Sequence, residues 1–299
     1  MQRLPRTLRR AGHKMDQNVW IKAFDTAVDA AMVWLTDHGG AVFDFARAVL
    51  EGAFDGLLAG LMFLPFWAVA LALGLLAARS LGWKFGAAAA AGMALCQAIG
   101  LWPETIETLC LVIISVLLAV LVGVPVGVLS GYSPRLTKAL DPVLDLIQTL
   151  PPYIYLLPAI AFLGYGPATA IVATFIVAAP PVIRLSALGF RQTPVEFIEL
   201  GEATGAKPLD AFLKIRVPFA LPSVMAGINQ SLMMAFGMVV IAGIVGSGGL
   251  GETIYGAIRK LDIALSVNAA IAIVVLTIIL DRISQSIGPQ STDRTGDKP

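Results

Sequence analysis

Charge is scarce in this chain. Only 14% of its 299 residues are charged, against about 25% in an average soluble domain. Histidine and cysteine are scarcer still, with two of each. His13 and His38 stand alone in the N-terminal region, and Cys96 and Cys110 lie in apolar runs without metal-ligand spacing. No cluster for a metal ion is legible, and the two thiols read as packing residues that say nothing of redox compartment. No GxxxxGK[ST] stretch is present to cradle nucleotide phosphates. No Ser-His-Asp arrangement can be traced through the apolar segments, so a self-contained enzyme is not expected. The net charge of +1 gives no bulk attraction to nucleic acid.

Apolar side chains dominate instead. They make up 57% of the residues and raise the mean hydropathy to +0.81. A bilayer accounts for such a surplus, since a spanning helix takes about 20 mostly apolar residues to cross roughly 30 Å. The basic start "MQRLPRTLRRAGHKMDQ" has no apolar core behind it, so it does not read as a cleavable signal peptide. Met15 is an alternative start.

Charge-free windows predict about seven spans. The first two are 57–78 and 85–103, and the third is 108–134. The window 146–183 is too long for one crossing and is divided at "LGYGP", giving a fourth span from about Asp141 and a fifth. A sixth runs from Val217 to the glycine-rich "GSGGLG", and a seventh covers 263–280. Orientation follows from Lys and Arg near the span ends. Arg79, Lys84, Arg135, Lys138, Arg184, Arg191, Lys207, Lys214, Arg216 and Arg282 share one side if 184–216 is cytoplasmic, and Arg294 and Lys298 follow them. The other side keeps Arg259, Lys260 and Arg47. The basic cluster Arg3–Lys14 runs against this bias, but it lies far from the first span.

Ahead of the spans, Trp20, Phe24, Ala27, Ala31 and Trp34 recur at helical spacing, and Phe45, Val49 and Ala53 form a second stripe. These predict two amphipathic helices, either lying on the membrane surface or packing on the bundle. The chain thus divides into a basic tail (1–18), an amphipathic region (19–56), two peripheral spans (57–103), a core (104–288) with a polar loop at 191–222, and a polar tail (289–299).

That polar loop, "EFIELGEATGAKPLDAFLKIRVPFALPS", is the one compact charged insert among the apolar windows. Phe212, Leu213 and Ile215 can form an apolar face for a partner's groove, and Gly205 and Pro208 mark a break between two helical pieces. Glu199, Gly205, Ile215 and Pro218 resemble, in register, the EAA signature of ATP-binding-cassette importer permeases: Glu-Ala-Ala, three residues, Gly, nine residues, Ile-x-Leu-Pro. Leu200, Gly201 and Val217 depart from it. "DPVLDLIQTLPPYIYLLP", "AAPPVIRLSALGF", "PSVMAGINQSLMMAFGMVVIAGIVGSGGLG" and "IILDRISQSIG" are similar to permeases for glycine betaine, proline betaine and choline. The resemblance covers about 110 to 290.

It implies an all-α polytopic membrane protein with the type I importer transmembrane fold, in a bacterial inner membrane, with loop and C-terminus cytoplasmic and the N-terminus extracytoplasmic. The implied partners are two ATPase subunits, an extracytoplasmic binding protein and a second permease copy. ATP and Mg would then sit on the ATPase, with no cofactor in this chain. Glu199, Leu200, Gly201, Glu202, Ala203, Gly205, Ala206, Ile215 and Pro218 are the implied coupling residues.

Asn229 and Gln230 are candidates for a translocation path, or for an interhelical hydrogen bond. Tyr153 and Tyr155 could offer π-faces to a trimethylammonium group, or serve as interfacial anchors. Asp145 and Arg184 read as a bracing ion pair. Pro151, Pro152 and Pro158 in span four, and Pro180 and Pro181 in span five, predict kinks or breaks. A permease for another small solute, such as an amino acid or a sulfonate, and a stand-alone secondary transporter remain as rival readings.

Overall fold

A computed structural model describes the backbone of residues 6–287 and the side chains of 20–286. The basic tail, the Met15 start and the polar C-terminal tail therefore fall wholly or largely outside the described residues. All regular structure in the described part is helical: α1 (Arg6–Phe63), α2 (Phe66–Leu81), α3 (Trp83–Ala98), α4 (Trp102–Tyr132), α5 (Pro134–Thr149), α6 (Leu156–Leu163), α7 (Pro167–Arg191), α8 (Val195–Ala203), α9 (Pro208–Ala211), α10 (Val217–Ala242), α11 (Gly249–Lys260) and α12 (Ile263–Ile287). By their internal contacts the residues divide into two compact units, with the boundary in the chain after Ala48.

One helix, α1, replaces the two expected ahead of the spans. No proline lies between Arg6 and Leu64 to stop it, and Gly39 and Gly40 each weaken a helix by only about 1 kcal/mol relative to alanine. Trp20, Phe24, Trp34 and Phe45 are all exposed along it.

In the second unit, α4, α7 and α10 form the core, and glycine sets how closely they pack. Gly123, Gly127 and Gly131 recur every fourth residue along one face of α4. A Cβ on them would lie 3.0 Å from Val182 Cβ, 2.6 Å from Ser186 Cβ and 3.0 Å from Phe190 Cβ. The constant offset makes α4 and α7 parallel. Gly189 faces Ala220 and Ser223 while Gly227 faces Pro181 and Val182, so α10 runs antiparallel to α7. This is how membrane helices associate where lipid gives no hydrophobic drive, through small residues that let backbones approach. The topology gathers Tyr132, Arg191 and Val217 at one end of the core. The other end holds the starts of α4 and α7 and the end of α10, where Gly166 N–H donates to Val245 O at 3.1 Å.

Among the described residues, four helical stretches are long and apolar enough to cross a membrane: Trp102–Tyr132, Pro167–Arg191, Pro208–Val245 and Ile263–Ser286. Two bent pairs raise the number to six at most, below the seven windows read from the sequence. The expected first span is cut at Leu64–Pro65, where the helices on either side meet at 101°. Pro65 has no N–H to continue the helical ladder. α2 and α3 have 16 residues each, about 24 Å at 1.5 Å per residue, short of the hydrocarbon thickness. They pack as a pair closed at Gly82 (φ 93°), with Gly86 pressed onto Ala78 and the Gly74 carbonyl. The expected fourth span bends by 107° after Thr149, at Pro151 and Pro152, and continues through a 3-10 turn (Pro152–Tyr155) into α6. α7, by contrast, runs unbroken through Pro180 and Pro181.

Candidate functional site: the coupling loop and the core around it

The loop at the Tyr132–Arg191 end is built from two short helices and a widened turn. α8 closes with both hydrogen bonds of a Schellman motif, Gly205 N–H to Glu202 O at 3.0 Å and Ala206 N–H to Gly201 O at 2.9 Å. Gly205 takes φ +70°, with open space where a Cβ would stand. Its requirement is thus for backbone angle, since L side chains seldom adopt this region. Gly201 is different. A Cβ there would come 2.8 Å from Ile215 Cδ1, so this departure from the Glu-Ala-Ala pattern makes room for Ile215. The pattern's two ends touch in the fold.

Leu200, the bulkier departure, is exposed, as are Val195, Phe197, Leu209 and Leu213 of the same loop. A groove of about 470 Å³ runs between the pieces, lined by Phe197, Leu200, Gly201, Thr204, Ala206 and Ile215, with Asp210 and Lys214 at its edge. Those two form an i,i+4 ion pair at 2.8 Å. Glu199, Glu202 and Ala203 are exposed on α8. Phe212–Arg216 forms a π-helical turn in which Val217 N–H reaches back to Phe212 O. It sits just before Pro218, which has no N–H to give to an α-helical ladder. α10 continues directly from this turn, so Pro218 lies in its first turn and Pro222 inside it.

Asp145 and Arg184 do meet, at 2.5 Å between Oδ1 and Nη2. The guanidinium also reaches Asp141 O at 3.4 Å, joining α5 to α7 beside a cavity of about 370 Å³. The 3-10 turn carrying Tyr153 and Tyr155 packs against α10, which carries Asn229 and Gln230. Tyr155 is held, its hydroxyl donating to Ile147 O at 2.9 Å, while Tyr153 is 59% exposed. Asn229 Oδ1 is buried without a partner in this chain, and Gln230 is exposed.

The opposite end carries a construction that the sequence reading missed. Gly246, Gly248 and Gly249 all have positive φ, and α11 begins within the "GSGGLG" run. Glu107 Oε2 accepts from Gly249 N–H at 2.6 Å, Thr108 Oγ1 accepts from Leu250 N–H at 2.8 Å, and Glu252 accepts from Gly248 N–H at 2.8 Å. Unpaired N–H groups at a helix start attract such acceptors. Two of the acceptors come from α4, far away in sequence, and no local pattern announces them.

The family described as binding-protein-dependent transport system inner membrane component matches residues 123–291, a stretch that takes in α7, the loop, α10 and all of α12. The chain belongs to that family. Two relatives match nearly its whole length. The glycine betaine/proline betaine transport system permease protein ProW of Escherichia coli is 36% identical over 90% of this chain and 76% of its own. The glycine betaine transport system permease protein OpuAB of Bacillus subtilis is 38% identical over 89% of this chain and 95% of its own. Among solved structures, an inward-facing conformation of the MetNI methionine ABC transporter matches with TM-score 0.56 and 25% identity, over 63% of this chain and 96% of that one. The all-helical permease fold expected from the sequence is therefore established, with fewer straight spans than its apolar windows suggest.

Proposed function

We propose that this chain is the membrane-spanning subunit of an ATP-driven importer for a quaternary ammonium osmolyte such as glycine betaine, proline betaine or choline. The observation that carries this reading is the loop 195–216. It presents exposed apolar side chains around a groove, on a scaffold fixed by the Gly205 cap and the Gly201–Ile215 contact. Such a surface suits the seating of an ATPase subunit, which binds ATP and Mg while this chain supplies the path. Glu199, Leu200, Glu202, Ala203 and Ala206 border the docking face, and Pro218 fixes where the loop passes into α10. Two permease copies with two ATPase subunits, fed by an extracytoplasmic binding protein, complete the assembly in a bacterial inner membrane. The quaternary amine is favoured over the methionine of the structural neighbour because the glycine betaine relatives are more similar in sequence and match more of the chain.

Within this reading, Asn229 and Gln230 on α10 and Tyr153 beside them face the solute's path, and Tyr155 holds the bend behind them. The loop lies in the cytoplasm and α11 outside, following the positive charge at the Tyr132–Arg191 end. Single cysteines at Lys207 and Lys260, in a background lacking Cys96 and Cys110, test this orientation. An impermeant maleimide should label position 260 from outside and leave 207 unlabelled, and the reverse result overturns the topology. The functional test is uptake in liposomes. The permease alone should hydrolyse no ATP and accumulate no solute, and ATPase plus binding protein should restore both. Uphill uptake by this chain alone sinks the proposal.

A further inference from the structure

The loop's exposed groove explains where a partner sits, but not how its movement would reach the core. Four side chains bridge that gap. Phe212, in the π-helical turn, stacks on Phe190 with ring centroids 5.6 Å apart and planes at 13°. Phe190 is the penultimate residue of α7 and is buried to 4% exposure. It meets the ring of Tyr132, the last residue of α4, at 6.4 Å. Arg216, four residues after Phe212, closes the set with its guanidinium carbon 4.7 Å from the Tyr132 ring centroid. Gly131 lets the end of α4 settle onto Phe190, since a Cβ there would come within 3.0 Å of Phe190 Cβ.

The turn is therefore two-sided. Phe212 and Arg216 face the ends of α4 and α7, so Phe212 lies outside the apolar docking face that its sequence position suggested, while Leu213 and Lys214 between them face outward. A π-turn is a rare interruption that recurs at functional sites. In the other half of the loop, Phe197 of α8 meets Phe219 of α10 at 4.8 Å.

We propose that Tyr132, Phe190, Phe212 and Arg216 form a relay that ties the loop rigidly to α4 and α7, so that a push on the loop moves these two parallel helices together. They are positioning residues, touching neither solute nor nucleotide. The inference rests on the reading of the loop as an ATPase-docking surface, and its test separates the two. In the reconstituted complex of permease, ATPase and binding protein, Phe212→Ala should leave the ATPase co-purifying as in the wild type. Solute taken up per ATP hydrolysed should fall roughly five-fold, the size expected for losing one aromatic pair. Phe212→Tyr should restore the ratio.

Tyr132→Leu and Arg216→Gln give a second test that leaves Phe212 in place. Each should lower the ratio, and the double variant should lower it no further than the worse single one, as for residues acting through one contact. An unchanged ratio in Phe212→Ala, additive losses in the double variant, or loss of the ATPase from Phe212→Ala each overturn the relay. A wild-type permease that retains no ATPase overturns the docking reading itself, leaving the relay without a stroke to carry.

Discussion

Glycine at the two ends of the α4–α7–α10 core frees a backbone angle at Gly205 and Gly246 and permits close packing at Gly243, Gly249 and Gly251. At the loop end, Gly205 has positive φ and empty space where a Cβ would stand, and Leu200, Leu209 and Leu213 of the same loop lie in the open. At the other end, Gly243 and Gly251 are pressed against one another's segments, and Gly249 against Thr108. Glu107 and Thr108 take up the N–H groups that start α11. The second end meets the N–H groups that start α11 with side chains of its own. The first leaves apolar surface unburied. A closed end is a structural joint, whereas an open one has a surface left for something else to cover, so substitutions at the two should fail in different ways.

The largest effect on folding is expected at Gly243→Ala. The added Cβ would land on the backbone of Gly251 and Glu252, which cannot rotate away as a side chain can. A destabilisation of about 3 kcal/mol is expected, at the high end for overpacking. It should appear as a lower melting temperature and a reduced yield of monodisperse protein in detergent. Wild-type melting would mean that the α10–α11 turn is looser than its packing indicates.

Thr108→Val sharpens the same contrast. It keeps the side chain's shape but leaves Leu250 N–H without its acceptor, in a buried position. An unpaired buried donor costs roughly 2 kcal/mol, so melting should again move, though less. Thr108→Ser, which retains the hydroxyl, should recover most of the loss.

These two sites also mark what could be read from sequence. Length and hydropathy were enough to place α4, α7, α10 and α12, because a charge-free window reports burial in lipid directly. The break at Gly205 and the passage of the loop into α10 at Pro218 were legible because the loop is local, with its partners within twenty residues. The break at Pro151 and Pro152 was legible from the prolines, though not its 107° turn, whereas the short α2–α3 pair escaped, since hydropathy counts apolar residues without regard to helix direction. The Glu107 and Thr108 acceptors escaped for a stronger reason: their partners are distant in sequence, and a Glu near a span end looks like any interfacial carboxylate. The glycine spacing 123–127–131 was visible but carried no message until α7 lay against it.

At the open end, Gly205→Asp should separate folding from function. Forcing a non-glycine residue to positive φ costs about 1 kcal/mol, and the space around the position is free, so the permease should fold and insert. Docking should suffer far more, with coupled uptake falling on the order of tenfold or more if the residue sits centrally under a partner. Glu199→Ala should act in the same direction and more mildly. Co-purification of the ATPase together with uptake in liposomes reads both. If Gly205→Asp retains wild-type assembly and transport, the open end is an ordinary loop and its contrast with the closed end carries no functional meaning.

The smallest effect is expected at the Asp145–Arg184 pair, on the loop side of the core yet outside the groove. The contact is short, at 2.5 Å, but the side chains remain 67% and 34% exposed, and water screens pairs of this kind to about 0.5 kcal/mol. The two partners are not equivalent. Arg184→Ala leaves a carboxylate that is mostly in water, at almost no cost. Asp145→Asn leaves a guanidinium whose Nε is already buried without a partner, so it should be the more damaging of the two. Raising the salt concentration should narrow the gap between wild type and Asp145→Asn, because only the wild type has an ion pair to screen. Melting temperatures of the two single variants and the double variant, at low and high salt, measure this. A brace between α5 and α7 predicts that small loss in stability with transport unchanged. If uptake instead changes in both variants while melting does not, the pair acts on movement between α5 and α7, and the loop end has a second moving contact beyond the groove.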